Sequence, residues 1–172
     1  ATSRLYSSNC KVTCYGYNYI FVNRGLTPDI TLNDTSQILY FDTFKTNQSL
    51  DFYLKNYPIK KKDDNTLIMY KSVHKIDGEY VSDYNNGFKY VLGEIKYQEC
   101  NSQNDESCDI GIHVSDLLFT VKFGNGWKDL CIIECEVPIS KIIISKDCDG
   151  KIRTSECLPV RELEKEEYKM FL

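Results

Sequence analysis

Only two histidines occur in the chain, His74 and His113, so an imidazole performing acid–base or metal chemistry must be one of them. His113 stands in Gly111-Ile-His-Val114, ahead of a predicted helix, and Arg153 stands in Lys151-Ile-Arg-Thr154 past a late turn. Two readings of His113 stay open. Its ring satisfies loop carbonyls beneath the Cys100 to Cys108 loop, or it joins Arg153 in a pocket for an anion. Arg153 likewise reads either as an ion-paired strand residue or as the cationic half of that pocket. His74 follows a strand in Val73-His-Lys-Ile-Asp77, and Glu156 is the carboxylate at the end of the chain that could face such a site. The expectation is that His113 and Arg153, far apart in sequence, share one solvent-accessible hollow.

Eight cysteines supply the remaining reactive groups. Cys131 and Cys135 alternate with Ile132 and Glu134 at strand period, which puts both thiols on one face. Four residues of strand separate them by roughly 13 Å at about 3.3 Å per residue, too far for a disulfide or a shared zinc. They read as core thiols. Cys10 with Cys14, and Cys100 with Cys108, have looser spacings than the Cys-x-x-Cys of a zinc site, and no metal is expected.

The elements that must position these groups begin with short β segments. Residues 12–22 are dense in Tyr, Phe, Ile and Val, Asn23-Arg24-Gly25 signals a turn, and residues 38–44 resume a strand-like run. Ser49 is placed to cap a two-turn helix, with Leu50, Tyr53, Leu54 and Tyr57 at helical spacing before Pro58. Lys60 to Asn65 reads as a charged connector, residues 66–73 as a buried strand, and Asn86-Gly87 as the turn of a hairpin. Ser115 is expected to cap a second helix that Gly124 ends, with Leu117, Leu118 and Val121 as its apolar face. Residues 130–137 and 141–145 read as strands on either side of a Pro138 corner. Asp149-Gly150 turns the chain into 151–159, and 162–170 is a charged helix. No repeat is visible. The predicted class is α+β, an antiparallel-dominated sheet carrying two or three short helices, divided into a β-rich segment 1–48 and an α+β domain 49–172.

Five segments in order carry a resemblance. Leu67-Ile-Met-Tyr-Lys-Ser-Val73, the acidic loop ending in Cys108, Gly111-Ile-His-Val114, Glu134-Cys-Glu-Val-Pro138 and Lys151-Ile-Arg-Thr154 resemble the C-terminal domain of the rIIB-like rapid-lysis-inhibition proteins of T-even phages. Related domains occur in large DNA viruses. The likeness spans about residues 66–163, and departs where Ser115 stands in place of the family's Cys after His-Val. It implies a viral accessory protein acting in the host cytoplasm, in lysis timing or virus–host conflict, by binding a host or viral macromolecule. A more distant similarity is to ADP-ribosyltransferase-like folds. That one implies an enzyme using NAD, with His74 on the first strand, His113 stacked on nicotinamide and Glu156 as the carboxylate. A third reading is a virion component whose Tyr-rich β segments pair with a neighbour's sheet edge, in a homo-oligomer or a particle.

Charge and composition narrow these choices. Lys and Arg number 21 and Asp and Glu 25, a net −4, which opposes a bulk electrostatic grip on nucleic acid. With 42% hydrophobic residues the chain can bury a core, yet no apolar run reaches the length of a membrane helix. The sequence opens at Ala1 without the basic and apolar regions of a signal peptide, so a leader is expected to be absent or already removed. There is no nucleophile elbow, P-loop, dinucleotide glycine fingerprint or zincin helix.

Overall fold

A computed structural model describes residues 2–5, 11–14, 19–23, 29–32, 37–41, 50–57, 59–84, 87–101, 108–144 and 150–171. The chain divides into two compact units, Ala1–Thr46 and Asn47–Leu172.

The N-terminal unit is built from β1 (Thr2–Leu5), β2 (Lys11–Cys14), β3 (Tyr19–Asn23), β4 (Asp29–Leu32) and β5 (Gln37–Phe41). β1, β3 and β5 form one parallel sheet and β2 with β4 another. Parallel neighbours need a crossover, and here the odd and even strands serve as each other's crossovers. Thr2 pairs with Tyr19, Tyr19 with Gln37 and Lys11 with Asp29, so the backbone repeats every 17 or 18 residues. This corrects the expectation of no repeat. The repetition is plain in the hydrogen bonding but only partial in residue type: Ile20, Phe21 and Val22 pair with Ile38, Leu39 and Tyr40, while Ser3 and Arg4 of β1 break the apolar pattern. Strand β4, Asp-Ile-Thr-Leu, is mostly exposed, with only Ile30 half-buried.

The second unit is α+β. Helix α1 (Leu50–Asn56) buries Tyr53 and, just past its end, Tyr57. Their rings stack at 4.8 Å, and the Tyr53 hydroxyl donates to the Gly150 carbonyl at 2.6 Å, tying the helix to the late turn. Ser49 and Pro58 lie outside the described residues. The presumed connector is instead β6 (Lys60–Asp63), which turns at Asp64-Asn65 and pairs antiparallel with β7 (Thr66–Ile76). Charge did not prevent a strand there, because β6 is exposed throughout and its lysines stay in water.

Strand β7 is the axis of a ten-stranded, antiparallel sheet. Along one edge it pairs over nine residues with β12 (Leu130–Pro138), from Leu130 opposite His74 to Pro138 opposite Thr66. On one face Leu67, Met69 and Val73 are buried with Cys131, Ile133, Cys135 and Val137. The opposite face is closed by the cluster Tyr70, Val121, Ile132, Leu163 and Tyr168. Each such aliphatic side chain contributes about 1.5–3 kcal/mol on full burial.

Around this axis lie β8 (Glu79–Val81), β9 (Lys89–Tyr90), β10 (Lys96–Tyr97), β11 (Ile112–Ser115), β13 (Ile142–Ile143), β14 (Lys151–Thr154) and β15 (Glu156–Glu162). β8 and β9 form the hairpin expected around Gly87, while Asn86 lies outside the described residues. Helix α2 (Leu117–Gly124) is capped by Asp116 rather than Ser115: the Asp116 carboxylate accepts from the Phe119 amide at 3.0 Å. Ser115 still belongs to β11, and its hydroxyl meets that of Thr120 at 2.6 Å. A strand over 141–145 reduces to the two residues of β13 after a 3-10 turn, Ile139–Lys141, and Ser145 is outside the described residues. Segment 151–159 is two strands broken at Ser155. The C-terminal helix is shorter than expected, since Glu162 ends β15 and only Lys165–Tyr168 (α3) is α-helical, closed by a capping box between Glu164 and Glu167. Among the described residues, no helix is long and apolar enough to cross a membrane.

Candidate functional site

The second edge of β7 is shared by three strands in succession. β6 pairs with residues 66–68, β11 touches at a single pair, Ser115 with Tyr70, and β8 pairs from His74 onward. Between Tyr70 and His74 no strand lies against that edge among the described residues. β11 diverges there because its other edge is committed to β14 over four pairs, Ile112 to Ser115 against Thr154 to Lys151. The divergence opens a cleft of about 390 Å³ over Lys71 and Ser72.

Two aromatic groups wall this cleft. Phe88 and Tyr90 meet edge to face at 5.3 Å on the β8–β9 side, and Phe119 and Phe123, 6.4 Å apart, line the cleft from α2. Tyr84, 85% exposed, leans on Phe123 at 6.4 Å and forms the rim. Apolar walls with few polar groups are the usual makeup of a ligand pocket.

The floor carries Lys71. Its Nζ donates to the His113 carbonyl at 3.0 Å, spanning the two strands where they have parted, and lies 5.6 Å from the centre of the Tyr90 ring. Burial lowers the affinity of this amine for its proton, an effect that Lys151 reinforces and that the Cys135 and Cys157 thiols and Asp83 oppose. Burial likewise raises the Tyr90 phenol well above its ordinary range. The two acids that line the cleft among the described residues are already engaged: Asp83 receives His74 Nε2 at 3.0 Å and Asp109 faces Arg153 Nη1 at 3.5 Å. No carboxylate lies within ion-pairing distance of Lys71 among the described residues. At the mouth, Lys151 Nζ donates to the exposed Cys108 thiol at 3.2 Å.

The four residues singled out in the sequence fall in different places. His113 lines the cleft, and Arg153 is its cross-strand partner. The shared hollow nevertheless needs correcting, because Arg153 is fully enclosed and does not line it. Its guanidinium donates to the Ile110 carbonyl at 3.2 Å and holds Asp109, fastening the 109–111 turn that forms one lip. Gly111 makes room for this arrangement: with φ +144, a Cβ there would come within 2.3 Å of Cys100 Sγ and 3.5 Å of Arg153 Cβ.

His74 is outside the cleft. It stacks on Trp127 at 4.3 Å, with Asp83 on Nε2 and Asp129 on Nδ1 at 3.1 Å. The Asp83 hydrogen bond, aided by Asp129, raises this imidazole above its ordinary value. Glu156 begins β15 opposite Tyr97 of β10 and is not part of the cleft lining. The three groups required for an ADP-ribosyltransferase-like centre therefore do not meet.

The thiols divide by burial. Cys131, Cys135 and Cys157 are buried, Cys100 is partly buried and Cys108 exposed, while Cys10 and Cys148 lie outside the described residues. Burial, together with hydrogen bonding to Glu162, pushes the Cys131 thiol up to about 12. Cys135 is raised by its hydrogen bond with Cys157 and by burial. Among the described residues no three His, Cys, Asp or Glu side chains converge as a metal site.

Sequence reasoning missed Lys71. A signal was there, since a lysine at an inward position of Leu67-Ile-Met-Tyr-Lys-Ser-Val73 is a charge inside a buried strand, which needs either a partner or a role. No protein-family model, curated protein or solved structure matches the chain.

Proposed function

We propose that this chain is a viral accessory protein that acts by binding, holding a segment of a host or viral macromolecule in the Lys71 cleft, in the cytoplasm of the infected cell. The observation that carries the reading is the unfilled edge of β7 between Tyr70 and His74, enclosed by aromatic walls. Such an edge offers main-chain groups to an extended segment, and the walls offer pockets to its side chains. The rIIB-like pattern over residues 66–163 supports a viral setting, and it encloses every strand that forms the cleft.

A photo-crosslinking residue at Tyr84 tests this in infected cells. Tyr84 is at the rim, and Tyr97, also well exposed, is outside the lining and serves as control. The expected result is one defined macromolecular adduct from position 84 that is lost on Phe123→Ala. Equal labelling from 84 and 97 would refute the reading.

A virion or self-association role has one observation in its favour. The order β1-β3-β5 leaves β1 and β5 each with an edge that no strand covers among the described residues, open to a neighbour's sheet. Finding the chain in purified particles, or a concentration-dependent mass by light scattering, would favour that role. The NAD-dependent alternative has no comparable support, since His74, His113 and Glu156 stand apart.

A further inference from the structure

We infer that the Lys71 amine anchors a carboxylate, and that the ligand group filling the cleft is an aromatic ring bearing that acid a few bonds away. The inference rests on the binding reading above and specifies its chemistry. Among the described residues, Lys71 on the floor has a neutral carbonyl, that of His113, as its hydrogen-bond acceptor. Asp83 and Asp109, the carboxylates that could neutralise it, are held by His74 and Arg153. Among the described residues no carboxylate is paired with this amine, so the floor has cationic capacity that an incoming anion can answer, in surroundings that weaken competition from water.

The walls fix the rest of the ligand. An ammonium 5.6 Å from the centre of the Tyr90 ring leaves a ligand ring to rest between the Phe88–Tyr90 pair and the Phe119–Phe123 pair while its acid reaches the amine. A volume of about 390 Å³ suits one or two ring-sized groups and not a dinucleotide. The donor set also separates acid types. A phosphate presents three oxygens and about −1.5 to −2 charges, whereas the floor offers one ammonium, Lys151 being engaged with Cys108 at the mouth, and a carboxylate suits one ammonium. Under the binding reading this acid is the C-terminal carboxylate of a bound chain that ends in an aromatic residue.

Matched probes test the inference on the full chain by calorimetry and amide chemical shifts. They are 3-phenylpropionate against 3-phenylpropanamide, N-acetylphenylalanine against its amide, and phenyl phosphate. We expect each acid that binds to do so at least tenfold more tightly than its amide, with shifts at Lys71, Tyr90 and Phe123. In Lys71→Met and Lys71→Gln the preference should fall to within twofold. Met keeps the length of the stem, Gln retains a donor for the His113 carbonyl, and circular dichroism of each variant shows which one to read. Binding of N-acetylphenylalanine supports the chain-terminal acid; binding of phenylpropionate alone would overturn that source. Equal affinity for acid and amide, tighter binding of phenyl phosphate, or a preference that survives both Lys71 substitutions would overturn the inference. Silence from every probe would also overturn it, while the Tyr84 crosslink decides the binding reading independently.

Discussion

Arg153→Ala separates scaffold from site. The side chain is fully enclosed, and removing it deprives the Ile110 carbonyl of a donor at 3.2 Å and Asp109 of its counter-charge at 3.5 Å. Breaking a buried ion pair costs about 3–5 kcal/mol. Asp109 keeps 20% of its side-chain surface, so water recovers part of its solvation and the lower end, about 3 kcal/mol, is appropriate. A domain of this size with about 5–15 kcal/mol of total stability remains folded, but its melting temperature should fall by roughly 10 °C. His113→Ala, by contrast, truncates a cleft-lining ring while leaving its main-chain carbonyl for Lys71, and should cost no more than about 1 kcal/mol. Arg153→Met, which refills the volume without the donors, should fall between them. Thermal and urea unfolding, followed by circular dichroism, provide the comparison. If Arg153→Ala melted with the wild type while losing ligand, the guanidinium would be a binding group and the assignment of Arg153 to the lip would be wrong.

Three further outcomes are expected. Trp127 is the sole tryptophan and stacks on His74, so its fluorescence should titrate with that imidazole at a midpoint above the usual 6.5; Asp83→Asn should lower the midpoint, and an unmoved midpoint would contradict the contact. Because the folded value is raised, the stabilisation from this cluster is fully present below pH 6.5 and is lost as pH rises through the folded value, a trend that His74→Gln should abolish in melts across pH. Under native conditions a thiol reagent should modify exposed Cys108 quickly while Cys131, Cys135 and Cys157 wait for unfolding; fast reaction at all of these would refute the buried thiol face. Gly111→Ala must displace Cys100 and place an L residue at φ +144, so it should destabilise by about 2 kcal/mol or more and quicken Cys100 modification, both absent if the turn is misplaced.

Local chemistry was legible where one side chain decides one conformation. Leu50, Tyr53 and Tyr57 at helical spacing gave α1, the alternation around Cys131 and Cys135 gave the core face of β12, and the apolar run 66–73 gave β7. Boundaries failed where two local partners competed. Ser115 and Asp116 both favour a helix start, and the ladder with Lys151 kept Ser115 in β11. The coil of the N-terminal unit was invisible because parallel backbone pairing asks little of side-chain identity.

Periodicity and burial preference, which are properties of neighbouring residues, were enough to read an α+β chain with a mostly antiparallel sheet, a buried thiol face and a His113 next to a helix. The enclosure of Arg153, the distance of His74 and Glu156 from His113, and the place of Lys71 on the floor of an aromatic cleft came from long-range packing. The physical reason is strand divergence. Whether β11 follows β7 or turns away to β14 depends on pairing between segments some 40 residues apart, Ile112 to Ser115 with Lys151 to Thr154, and no local pattern encodes the gap that this choice leaves.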